Sequence, residues 1–280
     1  LLIEMNLSRI TLGITRSPRL FAIAFFFGLT GTWAIMEPFV SVYITTPDKY
    51  WFLAILLIPT IIFAIWKVYP KDEITFSLQN TNTNVKIYFG DLFEQKGVIV
   101  IGVNEFFDSS IGKPVSPNSL HGYFIQKILG GKQSLFDSAV ESQLIDTSFE
   151  TIERSEGNNK RYPIGTTIKI DFAEKNYLLF ALSKTNERFE AYSTPSLILE
   201  ALNGLMNKAR SECNGDTLIL PLVGTGLSRS GISSKYIIEL ILIAILKSTK
   251  EGEVSSEINI VLKPELMKEI DLNELERKWK

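Results

Sequence analysis

The stretch GVIVIGVN, residues 97–104, decides the fold class. It is a short, nearly continuous apolar run, which fits a strand buried on both faces. Comparable runs recur on either side of it. ITFSLQ (74–79) and VKIYF (85–89) read as strands separated by turn-prone residues 80–84, and TTIKIDF (166–172), NYLLFALS (176–183), TLILPL (217–222) and INIVL (258–262) complete the set. Helical segments fall between them at 120–129 and 133–145. A longer helix starts at Thr194, a good cap, and Pro195, a good first residue, and reaches about Ser211. Helices over 233–247 and 265–279 close the chain. The stretch 237–246 is very apolar, but it is too short to cross a membrane and carries Glu239, so it reads as a buried helix. Strands alternating with helices, several of them apolar throughout, predict an α/β domain with a mixed sheet covered on both faces.

Sheets of this kind place ligands at the carboxyl ends of their strands. Two loops there have suitable chemistry. The first is VGTGLSRS (223–230), between the strand 217–222 and the helix that begins near Ser233. Gly224 and Gly226 let backbone amides converge without Cβ obstruction, and the following helix N-terminus favours an anion. With Thr225, Leu227, Ser228 and Arg229, this loop is a candidate diphosphate cradle. It is neither a Walker loop nor a GxGxxG fingerprint, and a tight strand-to-helix turn uses glycine for structural reasons too. The second loop follows the strand 97–103, opening with Asn104-Glu105-Phe106-Phe107-Asp108 and running to Ser119. Asn104 offers a donor and an acceptor suited to ribose hydroxyls, or it is a turn asparagine. His121 follows the helix-start signal Asn118-Ser119 and reads as a packing or capping residue in preference to a catalyst.

The N-terminal quarter has a different character. LFAIAFFFGLTGTWAIM (20–36) carries no charge, and after Glu37 and Pro38 the apolar character resumes through Ile44; YWFLAILLIPTIIFAIW (50–66) is also uncharged. At about 1.5 Å per residue, each run with its flanks spans a bilayer core of roughly 30 Å. A signal peptide would end its apolar stretch at a small-residue cleavage site, whereas this chain turns at Pro47 and Asp48 and enters a second run. The expectation is a transmembrane hairpin joined by TTPDK (45–49). Arg9, Arg16 and Arg19 precede the first run and Lys67 and Lys71 follow the second, while the turn offers only Lys49. Positive-inside bias therefore puts both ends in the cytoplasm. The expected division is an N-terminal cytoplasmic segment (1–19), the hairpin (20–69, spans 20–44 and 50–69) and the α/β domain (75–280). Glu37 would lie about 25 Å along a helix entering near Leu20, close to the far interface. Snorkelling and a pore-lining role both remain open for it.

Composition narrows the function. The 280 residues have a formal net charge of −2 with no block of Lys and Arg, so electrostatic attraction to nucleic acid has no support. Cys213 is the only cysteine and His121 the only histidine. Neither an intramolecular disulfide, a thiolate metal cage nor a multi-histidine zinc site can be built, and no metal or resident cofactor is expected.

With these residues in place, 75–280 resembles a macro domain, a three-layer αβα fold with a mixed sheet. Three motifs stand in that family's order: Gly90-Asp91-Leu92 after an early strand, VIVIGVN ending in Asn104, and PLVGTGL before a helix. Together with two N-terminal spans, the chain resembles the transmembrane macro-domain effectors of Thoeris anti-phage systems (ThsA type) over essentially its whole length. The resemblance implies that Asp91, followed by Leu92, binds the adenine amino group, Asn104 the distal ribose, and Gly224, Thr225 and Gly226 the diphosphate, in the loop that continues through Leu227, Ser228 and Arg229. It departs in one place. Macro domains commonly follow the Asn with a run of glycines, where this chain has the bulkier FFDSSIGKPVSPNSLHG (106–122). In such systems a partner TIR-domain enzyme consumes NAD and makes an ADP-ribose-derived signal. The implied role is a non-enzymatic receptor and effector in the bacterial inner membrane that binds this signal, a histidine adduct of ADP-ribose, and acts as a homo-oligomer. A membrane-tethered ADP-ribosyl hydrolase, with Asp108, Lys113 or His121 assisting, is the alternative, and a ligand-free scaffold the plainest reading.

Overall fold

A computed structural model describes residues 6–40, 49–224 and 231–280. The chain divides into two compact units: residues up to Asp72 with Asp271–Leu275, and Glu73–Ile270 with Glu276–Lys280.

Among the described residues the first unit includes the helices α1 (Leu7–Arg16), α2 (Pro18–Met36) and α3 (Lys49–Val68). The first of these lies in the expected N-terminal segment 1–19, and Asn6 caps it, with its Oδ1 accepting from Ser8 N at 2.9 Å. The seam between α2 and α3 is made of small and hydroxylated residues. Ala24, Thr60 and Ala64 are buried. A Cβ on Gly28 would sit 3.3 Å from the Thr60 Cα, and the Thr32 and Thr60 hydroxyls meet at 3.1 Å. Ile23, Phe26, Phe27, Ile35 and Ile58 point outward. Small residues inside and large apolar ones outside is the pattern of helices packed in lipid, where close backbone approach and interhelical hydrogen bonds replace hydrophobic burial. Pro18–Phe39 is long and apolar enough to cross a membrane, and its most apolar 18 residues are almost wholly unburied. Among the described residues it is the one helix that qualifies; the apolar stretch Leu53–Val68 of α3 is shorter. The turn expected at 45–49 and the end of the first expected span lie largely outside the described residues. Glu37 stands where α2 tightens into a 3-10 turn, Glu37–Phe39, and is exposed.

Gly13 of α1 lies against the end of α3, where a Cβ would come within 2.3 Å of the Val68 carbonyl oxygen. Arg9 then clasps the chain leaving α3: its guanidinium donates to both carboxylate oxygens of Asp72 (3.0 and 2.7 Å) and to the Pro70 carbonyl (2.8 Å), and lies over the Tyr69 ring.

The second unit is built on a sheet of β1 (Glu73–Ser77), β2 (Asn84–Phe89), β3 (Val98–Asn104), β6 (Thr167–Phe172), β7 (Lys175–Thr185), β9 (Leu218–Pro221) and β10 (Glu257–Leu262), in the order β1-β2-β10-β9-β3-β7-β6. The short strands β4 (Glu150–Thr151) and β5 (Lys160–Arg161) pair with each other, and β8 (Ala191–Tyr192) pairs with β7. The five central strands, from β2 to β7, are parallel, and β1 and β6 close the edges antiparallel. Both faces of β3 are buried, as its unbroken apolar run requires. Ile99, Ile101 and Val103 share a cluster with Phe124, Ile125, Leu129 and Phe136, from the π turn that continues α4 (Leu120–Tyr123), the residue after that turn, and α5 (Gln133–Gln143). Two longer helices, α6 (Pro195–Glu212) and α7 (Ser234–Glu251), contribute the other buried layer through Ile198, Leu202, Leu205, Ile237, Ile241 and Ile245. The cap read at Thr194 forms, its hydroxyl accepting from Leu197 N at 3.3 Å.

The closing helix departs from expectation. A 3-10 turn, Pro264–Lys268, is followed by a fresh start at α8 (Leu272–Trp279). Asp271 restarts it by accepting from Asn273 N at 2.9 Å, so a side chain that competes for backbone donors breaks what periodicity alone would have run together.

Candidate functional site

Because the five central strands are parallel, the segments after β2, β3, β7, β9 and β10 all emerge at one edge of the sheet. Pairing between β3 and β9 is confined to Val98↔Leu218 and Ile99↔Ile219. Beyond that point β9 stays with β10 as far as Pro221, while β3 follows β7 to its end. The sheet therefore parts between β3 and β9 toward their carboxyl ends, and such a crevice is where open α/β sheets take ligands.

On the β9 side, Val223 is buried and Gly224 has φ +81°. A Cβ there would come 2.9 Å from Ile198 Cδ1, and the positive φ itself favours glycine. Thr225, Gly226, Leu227, Ser228 and Arg229 lie outside the described residues. Beyond β2, Asp91 is exposed and its Oδ1 accepts from Phe93 N at 2.8 Å. Leu92 next to it is a core residue, buried in the apolar cluster. The Phe93 ring stacks on Tyr123 at 5.0 Å.

On the β3 side, a register shift between Val103 and Asn104 marks an irregularity against β7 that re-aims the strand end. Asn104 is buried, and its Oδ1 accepts from Phe106 N and Asp108 N, both at 3.2 Å, while Nδ2 donates to Asp108 Oδ2 at 3.0 Å. Two backbone donors fix the amide's orientation. Its acceptor capacity is spent, and one N–H remains. The expectation of a side chain offering a ligand both donor and acceptor is corrected to a donor alone.

Asp108 is wholly buried. It accepts from Asn158 N at 2.7 Å and forms an ion pair with Arg154 Nη1 at 3.0 Å. Burial pushes its carboxyl above the ordinary value, opposed by the Asn158 N–H and the Arg154 guanidinium. The segment that supplies these partners is tied down in turn. Asn158 Nδ2 donates to the carbonyls of Phe106 (3.1 Å) and Phe107 (2.9 Å), and at Gly157 a Cβ would strike Asp108 Oδ1 at 2.3 Å. Phe107, at φ +49°, packs edge-on against Tyr162. Glu105 is buried as well, and burial pushes its carboxyl up against the pull of the Thr185 N–H. Residues 104–108 thus form a buried polar network with a strap, 152–159. Sequence reading missed Arg154, Gly157 and Asn158, which have no local motif.

The other residues named for hydrolysis are differently placed. Lys113 is exposed. Ser119 caps α4, accepting from Gly122 N at 2.9 Å. His121 behind it is buried against Phe136, and burial lowers its pKa to about 3. A neutral, enclosed imidazole is a packing residue, as its position after the cap suggested. It carries a pH prediction. Between about 3 and the ordinary 6.5 the unfolded chain binds a proton that the folded one refuses, so stability present above pH 6.5 is lost as pH falls. Urea unfolding should show a loss of roughly 2 kcal/mol between pH 7 and 5, and His121→Gln should flatten that slope; an unchanged slope contradicts the assignment.

Comparison with known proteins follows the same lines. The sequence profile described as Thoeris protein ThsA, macro domain, matches residues 85–263. No curated protein matches the chain. Among solved structures, the Oceanobacillus iheyensis macrodomain with ADP is similar at 14% identity and a TM-score of 0.52, over 74% of this chain and 96% of that one. A glycine-to-valine variant of the same macrodomain with ADPR is similar at 13% identity and a TM-score of 0.50, over 74% of this chain and 98% of that one. At these identities the likeness is one of fold.

Proposed function

This chain belongs to the ThsA macro-domain family of Thoeris defence proteins, and on that premise we propose that it is a membrane-anchored receptor and effector for an ADP-ribose-derived signal. The observation that carries the reading is the parting of β3 from β9. It opens between Asn104 and the glycine loop at Gly224, with Gly90-Asp91-Leu92 at the same edge. In this reading Asp91 takes the adenine amino group, and Gly224 with Thr225, Gly226, Leu227, Ser228 and Arg229 wraps the diphosphate. Asn104 gives its remaining N–H to the distal ribose. The Oceanobacillus structures hold ADP and ADPR, which supports a ligand of that chemistry. The burial of Asp108 in an ion pair and of His121 as a neutral imidazole favours holding the ligand over hydrolysing it.

The signal is a histidine adduct of ADP-ribose made by a partner TIR-domain enzyme from NAD. The anchor is an inner-membrane hairpin, 20–44 and 50–69, with both termini cytoplasmic. Cys213 is buried, which pushes its thiol up to about 11 and keeps it quiet toward maleimides. With Thr46→Cys, an impermeant maleimide should label intact cells; labelling only after lysis would refute the topology.

Two helices cannot enclose a water path while satisfying their polar groups in lipid. Membrane disruption therefore needs several copies, supplied by a homo-oligomer. The ligand must bind the disruptive arrangement more tightly than the resting one, since no equilibrium shifts without differential affinity. Dye-filled liposomes carrying the full chain should leak only when histidine-ADP-ribose is added. Equal leakage without it, or tight binding with neither leakage nor a change in oligomer size, contradicts the mechanism.

A further inference from the structure

Arg154 is held in an unusual way. Its side chain is 7% exposed, yet a single terminal nitrogen makes all of its recorded hydrogen bonds: Nη1 donates to Asp108 Oδ1 (3.1 Å), Asp108 Oδ2 (3.0 Å) and the Asn158 carbonyl (2.8 Å). The guanidinium carbon lies 3.8 Å from the centre of the Phe106 ring and 5.3 Å from that of Phe189. Nη2, with two N–H groups, is buried and has no partner. A buried charged donor left unpaired is costly, and native structures keep few of them. A purely structural clamp on Asp108 would do better with a bidentate fork using both terminal nitrogens, and this arrangement withholds one. The position is also telling: Asp108 binds Arg154 on one side and Asn104 Nδ2 on the other, so Arg154 stands one carboxylate away from the end of β3.

We propose that Arg154 is a specificity-determining residue of the crevice, its free Nη2 receiving a carboxylate carried by the group on the distal ribose. The inference rests on reading the crevice as an ADP-ribose site and deepens it: the ligand is an acid-bearing derivative, and the acid is what is read. With aromatic rings against the guanidinium, recognition falls to its edge, where a planar carboxylate accepts in plane. Phe189, partly buried in the turn 186–190, is the second of those rings. The Asp108 charge does not annul the attraction, because it is already shared among Arg154, Asn158 N and Asn104.

The test is titration calorimetry of the full chain in detergent with three probes: ADP-ribose, histidine-ADP-ribose, and histamine-ADP-ribose, which keeps the imidazole and lacks the carboxylate. The wild-type protein should bind the histidine adduct roughly tenfold to a hundredfold more tightly than the histamine adduct, the range expected of a charge-assisted hydrogen bond. Arg154→Lys, which leaves Asp108 a cation but removes the second nitrogen, should close that gap. If the variant does not fold, nitrogen-15 spectra of the wild-type arginine side chains read the same contact, with a buried Nη2 signal moving on addition of the histidine adduct and not of the histamine adduct. Equal affinity for the two adducts, a gap that survives Arg154→Lys, or a signal indifferent to the carboxylate would overturn the proposal and leave the ADP-ribose site standing. Binding of none of the three by the wild-type protein would overturn that site as well.

Discussion

Arg154→Met is expected to lower the stability of the α/β unit by about 3 to 5 kcal/mol, the cost of breaking a buried ion pair from one side. Asp108 has no exposure, and Arg154 is its only cationic hydrogen-bond partner among the described residues. Once the guanidinium is gone, the carboxylate must stay charged in an apolar enclosure or take up a proton, and the strap loses the Nη1 bond to the Asn158 carbonyl. The double variant with Asp108→Asn should recover part of the loss, because a neutral amide can still accept from Asn158 N. Urea unfolding followed by circular dichroism on the full chain in detergent distinguishes the cases. A single variant within 1 kcal/mol of wild type, on the order of a surface substitution, would mean that the pair does not hold the segment.

Gly226→Glu is expected to weaken nucleotide binding by more than about a hundredfold, equivalent to roughly 3 kcal/mol, while leaving the fold intact. In the proposed site the glycine loop takes the diphosphate, since glycines followed by a helix N-terminus favour an anion. A carboxylate at 226 would repel the diphosphate that the proposal assigns to this loop. The substitution acts on affinity alone if the circular dichroism spectrum and melting profile match wild type. Undiminished affinity in a folded variant would exclude the loop as the phosphate site.

The sheet was legible because its central strands are continuous apolar runs and its outer ones alternate: 85–89, 97–103 and 258–262 each fall on a strand within a residue or two. The two-residue strands β4, β5 and β8 were not, since such short runs carry no periodicity. The break before α8 hangs on one Asx turn at Asp271. Strand-end position located Asn104 at the end of β3 and Gly224 just after β9, but it could not say how Asn104 is hydrogen-bonded. Its partner Asp108 is local, whereas Arg154 lies 46 residues beyond Asp108. Only the folded strap brings the two together. The N-terminal unit shows a similar limit, with the apolar runs evident and the seam of Gly28, Thr32 and Thr60 visible only once the helices are paired.

The central claim is that the crevice between β3 and β9 holds an ADP-ribose derivative, and direct titration of the full chain with histidine-ADP-ribose, wild type beside Gly226→Glu, tests it with least intervening argument. The account predicts saturable binding at one site per chain in the wild-type protein and none in the folded variant. Absence of binding by the wild-type protein, or equal binding by both, would contradict it.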